Sequence, residues 1–242
     1  MIVLLTDFGL EGPYTGQMCA VLQQIAPAVP AISLFADLPP GQPKPAAYLL
    51  AAYAPWFPTG TVFLCVVDPG VGSDRRALVV EADGRFYVGP DNGLFEIVLR
   101  RGAQSRAWQI TWRPAALSAS FHGRDLFAPV AARLARNEPP ASLGTPAQPV
   151  LQPDWPDDLA EIVYIDRYGN AMTGLRGEIA PTGARISSSG RILAHGDTFA
   201  AVPPGAAFWY ANSNGLVEIA VNQGRADREL GLAIGSPITL ET

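Results

Sequence analysis

The sequence predicts an α/β protein with two domains: a larger one built on a largely parallel sheet covered on both faces, and a smaller β-rich one. Short apolar segments alternate with helix-like segments over the first half of the chain, as expected for parallel strands joined by helices. A proline-rich segment interrupts this pattern, and short strand-like runs between Gly, Asn and Asp turns follow it. We therefore place the α/β domain at 1–137, a linker at 138–158 and the β-rich domain at 159–242.

The first strand and the first helix show clear hydrophobic patterns. Ile2–Thr6 is a mostly apolar run, and Tyr14–Ile25 is predicted to be helical because Met18, Leu22 and Ile25 recur on one face. The elements predicted next are strands at 31–38 and 61–67, a helix at 45–56, and a hairpin of 77–81 and 85–88 that turns at Asp83-Gly84. The strands predicted in the second domain are 161–165, 185–188, 207–210, 217–221 and 237–240.

Composition excludes several classes of function. Of the 242 residues, 48% are hydrophobic and only 16% are charged, which predicts a folded chain. The net charge of −5 and the absence of a Lys/Arg run argue against nucleic acid or a membrane as partner. The apolar run at the N-terminus is too short to span a bilayer. Cys19 and Cys65 lie in apolar surroundings, and we expect two reduced thiols, as in a cytoplasmic protein.

An amphipathic helix is predicted directly after the sequence FHGRD, at 121–125. Its apolar stripe consists of Leu126, Phe127, Val130, Ala131 and Leu134. Pro129 is compatible with this helix only in the first turn, where its missing N–H has no partner to lose. His122, one of only two histidines, would then lie near the positive end of the helix. That field disfavours the imidazolium and keeps the ring neutral near pH 7.

Two aspartates directly follow predicted strands. Asp7 and Asp68 are each followed within two residues by glycine. Because ligands of open α/β sheets bind outside the carboxyl ends of the strands, both carboxylates are expected to face one crevice. The alternative, that each aspartate only caps a turn, stays open at this point.

Arg75 and Arg76 follow the turn Gly70-Val71-Gly72 closely. One arginine near Asp68 would hold that carboxylate charged, and the other is expected to be solvated. A neutral histidine beside an aspartate and an arginine could handle a proton, although a single histidine is more often structural. A metal site built from Asp7, Asp68, His122 and Asp125 is disfavoured because the sequence contains no recognised metal-ligand spacing.

Two polar turns of the second domain are candidates for binding a ring-bearing ligand. Tyr168 could stack on such a ring, while Asn170 or Ser213 could bond to its edge. Ordinary hairpin turns explain the same residues equally well. His195 has no comparable neighbours and is predicted to be structural.

Six motifs, taken in order, resemble a known family. They are LLTDFG, VVDPGVGSDRR, YVGPDNGLF, FHGRDLFAPVAARL, IDRYGNAMT and NSNGLVEIAVNQG. Together they resemble the S-adenosylmethionine hydroxide adenosyltransferases, hydrolases related to the fluorinase and chlorinase enzymes. The resemblance runs over about 2–224 and weakens in the proline-rich segment.

The resemblance implies an N-terminal α/β sandwich domain, a smaller C-terminal β-barrel-like domain, and a homotrimer with active sites between subunits. It implies attack of water or hydroxide on the ribose 5′ carbon of S-adenosyl-L-methionine, which releases adenosine and L-methionine and needs no cofactor or metal. The family's catalytic triad falls on Asp68, Arg75 and His122, and its ribose-binding carboxylate on Asp7. The residues that fall in its other ligand-binding segments are Asp166, Tyr168, Asn170, Ser213 and Asn222.

Three other functions remain to be separated from hydrolysis at the 5′ carbon. A non-catalytic sensor would bind S-adenosylmethionine or adenosine without forming product, and a halide-dependent 5′-adenosyl transferase would form 5′-halo-adenosine. A nucleoside-cleaving hydrolase would release adenine. The proton acceptor is also open: because Arg75 would make Asp68 a weaker base, His122 or a pre-bound hydroxide is favoured.

Overall fold

The computed structural model describes residues 1–181, 183–188 and 190–241. The chain divides into two compact units, Met1–Gln152 and Pro153–Thr242. The prediction of an α/β fold with two domains is confirmed. Over the described residues, none of the helices has the length and apolar character needed to cross a membrane.

The first unit contains one mixed sheet of seven strands in the order β2-β1-β3-β5-β4-β6-β7. Strands β2, β1, β3 and β5 pair in parallel, and β4, β6 and β7 extend the sheet in antiparallel pairing. The strands are β1 (Ile2–Thr6), β2 (Ala31–Phe35), β3 (Val62–Val66), β4 (Ala77–Ala82), β5 (Arg85–Pro90), β6 (Ser105–Ile110) and β7 (Gly144–Pro146). Every residue of β1 and β3 is buried, as expected for central strands covered on both faces.

Helices cover the two faces of this sheet. The helices of the first unit are α1 (Tyr14–Ile25), α2 (Pro43–Tyr53), α3 (Glu96–Arg101) and α4 (Ala128–Ala135). Helix α1 packs on α4, and α2 packs on α3. Met18 and Leu22 of α1 join Val130 and Leu134 of α4 in one core with alternate residues of β1 and β3. Successive strand residues point to opposite faces, so the remaining residues of both strands fill a second core.

The hairpin formed by β4 and β5 agrees with its prediction. The two strands pair antiparallel from Ala77↔Pro90 to Ala82↔Arg85. Its two turn residues, Asp83 and Gly84, have φ angles of +48° and +73°. Positive φ at both central positions is the geometry of a type I′ turn, which matches the right-handed twist of the strands.

The helix predicted after His122 begins with a π-helical turn at Gly123–Phe127 and continues as α4. Pro129 lies in the first turn of α4, where its missing N–H breaks no α-helical hydrogen bond. The helical segment as a whole begins at Gly123, before Pro129. The wider π turn allows the proline to lie inside this segment. Such turns concentrate at functional sites.

The proline-rich segment 138–158, predicted as a linker, contributes to the first unit. Strand β7 pairs with β6, the backbone N–H of Val150 donates to Asp91 at 2.8 Å, and that of Gln152 donates to Glu96 at 2.9 Å. The division between the units falls after Gln152, inside this segment. Its prolines limit hydrogen bonding but do not prevent packing along a sheet edge.

The second unit is a seven-stranded sheet in the order β14-β10-β11-β12-β13-β9-β8. The strands are β8 (Leu159–Ile165), β9 (Ala171–Arg176), β10 (Arg185–Ser188), β11 (Arg191–His195), β12 (Ala207–Ala211), β13 (Leu216–Val221) and β14 (Thr239–Glu241), with a short helix, α5 (Ala226–Glu229). The N–H of Ile162 in β8 donates to Ser236 O at 2.9 Å, and the N–H of Ile238 donates to Ala160 O at 3.0 Å. The sheet therefore curls until β8 meets the segment before β14, around a core that includes Trp209 and Ile219.

Several elements gave too weak a signal for prediction. Helix α3 has only six residues, fewer than two helical turns. Strands β6 and β11 carry arginines and mixed patterns, and β9 contains Gly174, which is disfavoured within strands. A Cβ at Gly174 would lie 2.6 Å from the Leu159 Cβ. This close approach of β8 and β9 depends on tertiary packing, which the sequence pattern does not reveal.

The loop after β3 lies directly against the segment that leads to His122. Gly72 has a φ angle of +80°, and a Cβ at this position would come within 2.7 Å of the Ala119 carbonyl oxygen. Only glycine satisfies both requirements without strain. Gly72 therefore allows the loop that carries Arg75 to approach the segment that carries His122.

We expect the Gly72→Ala substitution to destabilise the protein more than Gly60→Ala does. Gly60 has a similar φ of +81° but open space around its Cβ position, so its substitution costs about 1–2 kcal/mol of backbone strain. The contact with Ala119 adds about 1–3 kcal/mol at Gly72. Urea denaturation of both variants measures the difference. Equal losses of unfolding free energy would show that the close approach to Ala119 contributes nothing.

Candidate active site

The first unit places Asp7 and Asp68 at one edge of its sheet. Thr6 and Val66, the last residues of β1 and β3, are paired in parallel register. The chain leaves β1 for β2 on one side and returns to β3 on the other. This reversal is the topological switch point, where open α/β sheets form their ligand crevice. The expected crevice is present, and both carboxylates line it.

Asp68 forms a two-point ion pair with Arg75. Arg75 Nε donates to Asp68 Oδ1 at 3.0 Å, and Nη2 donates to Oδ2. The Asp68 side chain is only 4% exposed, and the Arg75 side chain only 9%. Nη1 of Arg75 also donates to the Arg76 carbonyl at 2.9 Å, and the guanidinium carbon lies 5.4 Å from the centre of the Phe127 ring. The pair is thus fixed in position, because buried charges are tolerated only when nearly every hydrogen bond is made.

His122 joins this pair through one ring nitrogen. Arg75 Nη2 lies 3.3 Å from His122 Nδ1. A guanidinium has donors only, so Nδ1 must be the acceptor. In a neutral ring the proton then resides on Nε2. Among the residues that the structure describes, Nε2 has no protein hydrogen-bond partner, and His122 lines the crevice.

The environment of His122 disfavours its protonation. Burial of the ring, followed by the positive charge of Arg75, lowers the pKa of His122 below its ordinary value of 6.5. Arg113 acts in the same direction, while Asp68 and Asp125 oppose it. A neutral ring was predicted from the start of the helix. The direction is the expected one, but burial and Arg75 are its main causes.

Asp7 accepts a hydrogen bond from the loop that follows β2. The backbone N–H of Gly41 donates to Asp7 Oδ2 at 2.8 Å. Burial raises the pKa of Asp7 above its usual value, and repulsion from Asp68 adds to this effect, while the hydrogen bonds to Asp7 oppose it. The charge of Asp68 therefore acts on Asp7 across the crevice.

The crevice encloses a cavity of about 130 Å³. Besides Asp7, Asp68 and His122, its lining residues are Phe8, Gly41, Val66, Pro69, Val71, Ser120, Phe121 and Gly123. Phe8, Phe121 and Tyr14 form a cluster of three rings with centroid distances of 5.4–5.8 Å. Gly41 and Ser120 were not predicted as site residues. Gly41 comes three residues after the predicted strand 31–38, so the rule about strand ends could have placed its loop at the crevice.

Two further charged residues predicted near the site have other partners. Arg76 pairs with the buried Asp91 at 2.5 Å and donates to Gln148 O at 2.8 Å, so it is a structural ion pair and not a solvated residue. Asp125 binds Arg124 and the Ser118 N–H. Across 1–181, 183–188 and 190–241, no three His, Cys, Asp or Glu side chains are placed to share a metal ion.

In the second unit, the turn between β8 and β9 brings three predicted residues together. Asp166 Oδ1 accepts from the Asn170 N–H at 2.9 Å, and Oδ2 accepts from Asn170 Nδ2 at 3.0 Å. Gly169, with φ of +87°, closes the turn. The Tyr168 ring is 74% exposed. The turn therefore holds a polar pair in a fixed geometry and presents a free aromatic face, as stacking on a flat ligand requires.

Ser213 and Asn222 lie at opposite ends of β13. Ser213 is in the turn before the strand, and Asn222 directly follows its last residue. Six residues of extended chain separate the two ends by roughly 20 Å. Asn222 Nδ2 donates to Val202 O at 2.7 Å, close to the Asp166–Asn170 turn in register. Within one chain, Ser213 is therefore not brought together with the other four predicted binding residues of this unit.

Glu218 is a buried polar residue that the sequence reasoning missed. It is 3% exposed and accepts hydrogen bonds from Tyr210 OH at 2.5 Å and Asn212 Nδ2 at 2.8 Å. Burial raises the pKa of Glu218, and the negative charge of Asp166 contributes. Its position in the apolar strand β13 gave no period-2 signal. His195, predicted to be structural, packs its ring on Trp209 with a centroid distance of 4.6 Å.

Comparison with known protein families assigns both halves of the chain. The SAM hydroxide adenosyltransferase N-terminal domain matches residues 2–144, and the C-terminal domain of the same family matches residues 160–239. The chain belongs to the SAM hydroxide adenosyltransferase family. The family resemblance inferred from the six motifs is confirmed.

Two relatives with the name of a hydrolase and one solved structure match almost the whole chain. An (R)-S-adenosyl-L-methionine hydrolase from Thermus thermophilus is 42% identical over 99% of this chain and 98% of its own length. A protein of the same name from Salinispora arenicola is 37% identical over 96% and 94%. The crystal structure of an uncharacterized conserved protein from Thermotoga maritima superposes with a TM-score of 0.91 at 30% identity, covering 100% of both chains.

The family's relation to halogenating enzymes is more distant. A fluorinase from Actinopolyspora mzabensis is 24% identical over 92% of this chain and 90% of its own length. This similarity is well below that of the two hydrolases.

Because the sequence contains only two histidines, the titration of His122 can be followed by NMR. We expect the His122 imidazole signal of an NMR titration to report a pKa below 6.5, so the ring is neutral at pH 7. Arg75→Gln should raise this pKa, because it removes the cation and leaves Asp68 unpaired. The His195 signal, from the other unit, is an internal reference.

Arg76→Gln is the matched control, because it also breaks a buried ion pair but removes no charge that acts on His122. A His122 pKa that shifts equally in both variants would refute the assigned role of Arg75.

Proposed function

We propose that this protein hydrolyses S-adenosyl-L-methionine to adenosine and L-methionine. The oxygen of a water molecule forms a bond to the ribose 5′ carbon while the bond from that carbon to sulfur breaks. The bonding electron pair stays on sulfur, which leaves as the neutral thioether of methionine, and the water loses one proton. Because a sulfonium is already an activated leaving group, no metal or acid is needed to expel it.

The observation that carries this proposal is that Asp68 and His122 line one cavity and are joined by Arg75, which contacts both. They come from the loop after β3 and from the start of the π turn, yet Arg75 contacts both other side chains directly. Water is a weak nucleophile that requires alignment and partial deprotonation. Holding it in line with the sulfur, about 3–3.5 Å from the carbon, contributes several kcal/mol.

The hydrogen bonding supports separate roles for His122 and Asp68. His122 Nδ1 accepts from Arg75, so the neutral ring has only an N–H to offer through Nε2. It would then donate to the oxygen of the water or hydroxide. Each oxygen of Asp68 accepts one bond from Arg75 and has a second lone pair. Asp68 is therefore the better candidate for the proton acceptor, in contrast to the preference for His122 or a pre-bound hydroxide drawn from the sequence.

The charge of the cavity suits a cationic substrate and a neutral nucleophile. Asp7 and Asp68 both line it, and the positive charge of Arg75 is engaged by Asp68. Carboxylates attract the sulfonium but repel halide ions. This arrangement favours water over halide and disfavours the halide-dependent transferase.

Six further residues are proposed to bind the substrate. Asp7 would hold the ribose hydroxyls by charge-assisted hydrogen bonds. The turn of Asp166, Tyr168 and Asn170 would bind a flat or polar part of the substrate, with Tyr168 stacking. Ser213 and Asn222 would contribute from the ends of β13.

The assembly proposed is a homotrimer with active sites between subunits. Large apolar side chains next to the cavity are solvent-exposed in one chain, among them Leu10, Tyr14 and Val71, and a neighbouring subunit would cover them. The separation of Ser213 from the other binding residues also favours contributions from more than one subunit. The two cysteines are free thiols, which supports the proposal of a cytoplasmic protein.

One incubation separates the proposed reaction from the alternatives. The protein is incubated with S-adenosyl-L-methionine in H₂¹⁸O containing chloride, and the products are analysed by chromatography and mass spectrometry. Equal amounts of methionine and of adenosine labelled at the 5′ oxygen are expected.

Each other outcome identifies a different function. 5′-Chloro-adenosine indicates a halide transferase, and free adenine indicates a nucleoside hydrolase. Unchanged S-adenosylmethionine that nevertheless co-purifies with the protein indicates a sensor. Any of these three results overturns the proposal.

Substitution of Asp68 or His122 should abolish most of the reaction. We expect Asp68→Asn to lower kcat by about 10²–10⁴-fold, because it removes the proton acceptor. His122→Asn should lower kcat similarly, and His195→Asn should not, because His195 lies against Trp209 in the second unit.

Binding of S-adenosyl-L-methionine, measured by calorimetry, separates these losses from failure to bind. Urea denaturation establishes that each variant is folded. Unchanged turnover in both Asp68→Asn and His122→Asn would remove the triad from the mechanism.

A further inference from the structure

Next to His122, the side chains of Arg124 and Asp125 form a two-point ion pair outside the cavity. Arg124 Nε donates to Asp125 Oδ1 at 2.6 Å, and Nη2 donates to Oδ2 at 3.0 Å. Asp125 is 16% exposed and does not line the cavity. Neither residue contacts Asp68, Arg75 or Asp7, so the proposed reaction gives this pair no task.

Asp125 forms hydrogen bonds to both ends of the segment 118–121, which forms one wall of the cavity. Its Oδ2 accepts from the backbone N–H of Ser118 at 2.8 Å, and its own backbone N–H donates to Phe121 O at 3.2 Å. The residues between these contacts include Ser120 and Phe121, which line the cavity. Two hydrogen bonds from one residue therefore fix both ends of the wall that precedes His122.

Arg124 connects this wall segment to neighbouring elements. Its guanidinium carbon lies 5.2 Å from the centre of the Phe121 ring, and Nη1 donates to Gln17 Oε1 of α1 at 3.4 Å. Phe121 in turn packs edge-on against Phe8 and Tyr14. The pair thus connects the cavity wall to α1 and to the ring cluster on the opposite side.

The charge of Asp125 also reaches the imidazole. The charged groups that act on His122 are Arg75 and Arg113, which lower its pKa, and Asp68 and Asp125, which raise it. Asp125 is the one of these four groups on the same helical turn as His122. Its loss would leave the ring with a less favourable field for protonation.

We propose that Asp125, together with Arg124, is a positioning residue that holds the 118–122 segment in place, so that His122 meets Arg75 at the cavity. It acts through His122 and touches no reacting atom. This proposal rests on the proposed function for its effect on turnover, but its structural part stands independently.

The test compares Asp125→Asn with Glu138→Gln in the full-length chain. Glu138 is a matched control, because Arg133 grips it in the same two-point manner, with distances of 2.7 and 2.6 Å, in the same unit but away from the cavity. Arg124→Gln is the second variant, because it removes half of the pair and retains the acceptor for Ser118. Urea denaturation establishes that each variant is folded.

We expect Asp125→Asn to lower kcat for adenosine release by about 10- to 100-fold, as for a small displacement of a reacting group. The KM should change by less than about threefold, because ground-state binding is not altered. Arg124→Gln should show a smaller loss of kcat, and Glu138→Gln should match the wild type.

A pH titration separates positioning from a general loss of stability. Removal of the negative charge should lower the pKa of His122, measured from its imidazole NMR signal. The acidic limb of kcat/KM should move to lower pH with it, because the neutral ring is the active form. A merely destabilised protein would show neither shift.

Two results would overturn the proposal in different ways. If folded Asp125→Asn retains both the wild-type kcat and the wild-type His122 titration, Asp125 has no positioning role. If the wild type releases no adenosine, the proposed function fails. Hydrogen exchange of the Ser118 N–H, which donates to Asp125, still decides the positioning role, because it should become faster in Asp125→Asn and stay unchanged in Glu138→Gln.

Discussion

The buried contact of Asp68, Arg75 and His122 is the constraint on which the site depends. Two opposite charges with 4% and 9% exposure have lost most of their hydration, and this loss is offset only when the pair keeps its full set of hydrogen bonds. Arg75 therefore cannot rotate freely, and Nη2, which donates to Asp68, also lies within reach of His122 Nδ1. One ion pair thereby sets the tautomer of the imidazole, suppresses its protonation and leaves the second lone pairs of Asp68 for a ligand.

The fold supplies this contact from distant parts of the chain. Parallel pairing of β1 and β3 brings Asp7 and Asp68 to one sheet edge, and His122, directly before the π turn at Gly123–Phe127, lines the same crevice. Gly72 lets the two loops touch. Each of these features is local, but only their combination forms the contact. Packing of β1, β3, α1 and α4 in one core supports these loops.

The second unit contributes rigid polar turns on a curled sheet. Asp166 and Asn170 satisfy each other, and Glu218 fixes Tyr210 and Asn212 through a buried network. Such networks are rigid because an unmet polar group in an apolar core is costly. These bonds therefore hold the turn that carries Tyr168 and the turn before β13 in fixed geometry.

Local patterns in the sequence were sufficient for the α/β class, the Asp83-Gly84 hairpin and the strand-end positions of Asp7 and Asp68. Hydrophobic period and turn chemistry act over a few residues and are therefore visible in the sequence, whereas the six motifs indicated the family by resemblance. Only the tertiary structure decided which arginine pairs with Asp68 and which nitrogen of His122 accepts a hydrogen bond. It also decided that Ser213 and Asn222 lie apart and that part of the proline-rich segment forms the last strand of a sheet. These features depend on contacts between residues far apart in the chain, and such contacts leave no periodic signal in the sequence.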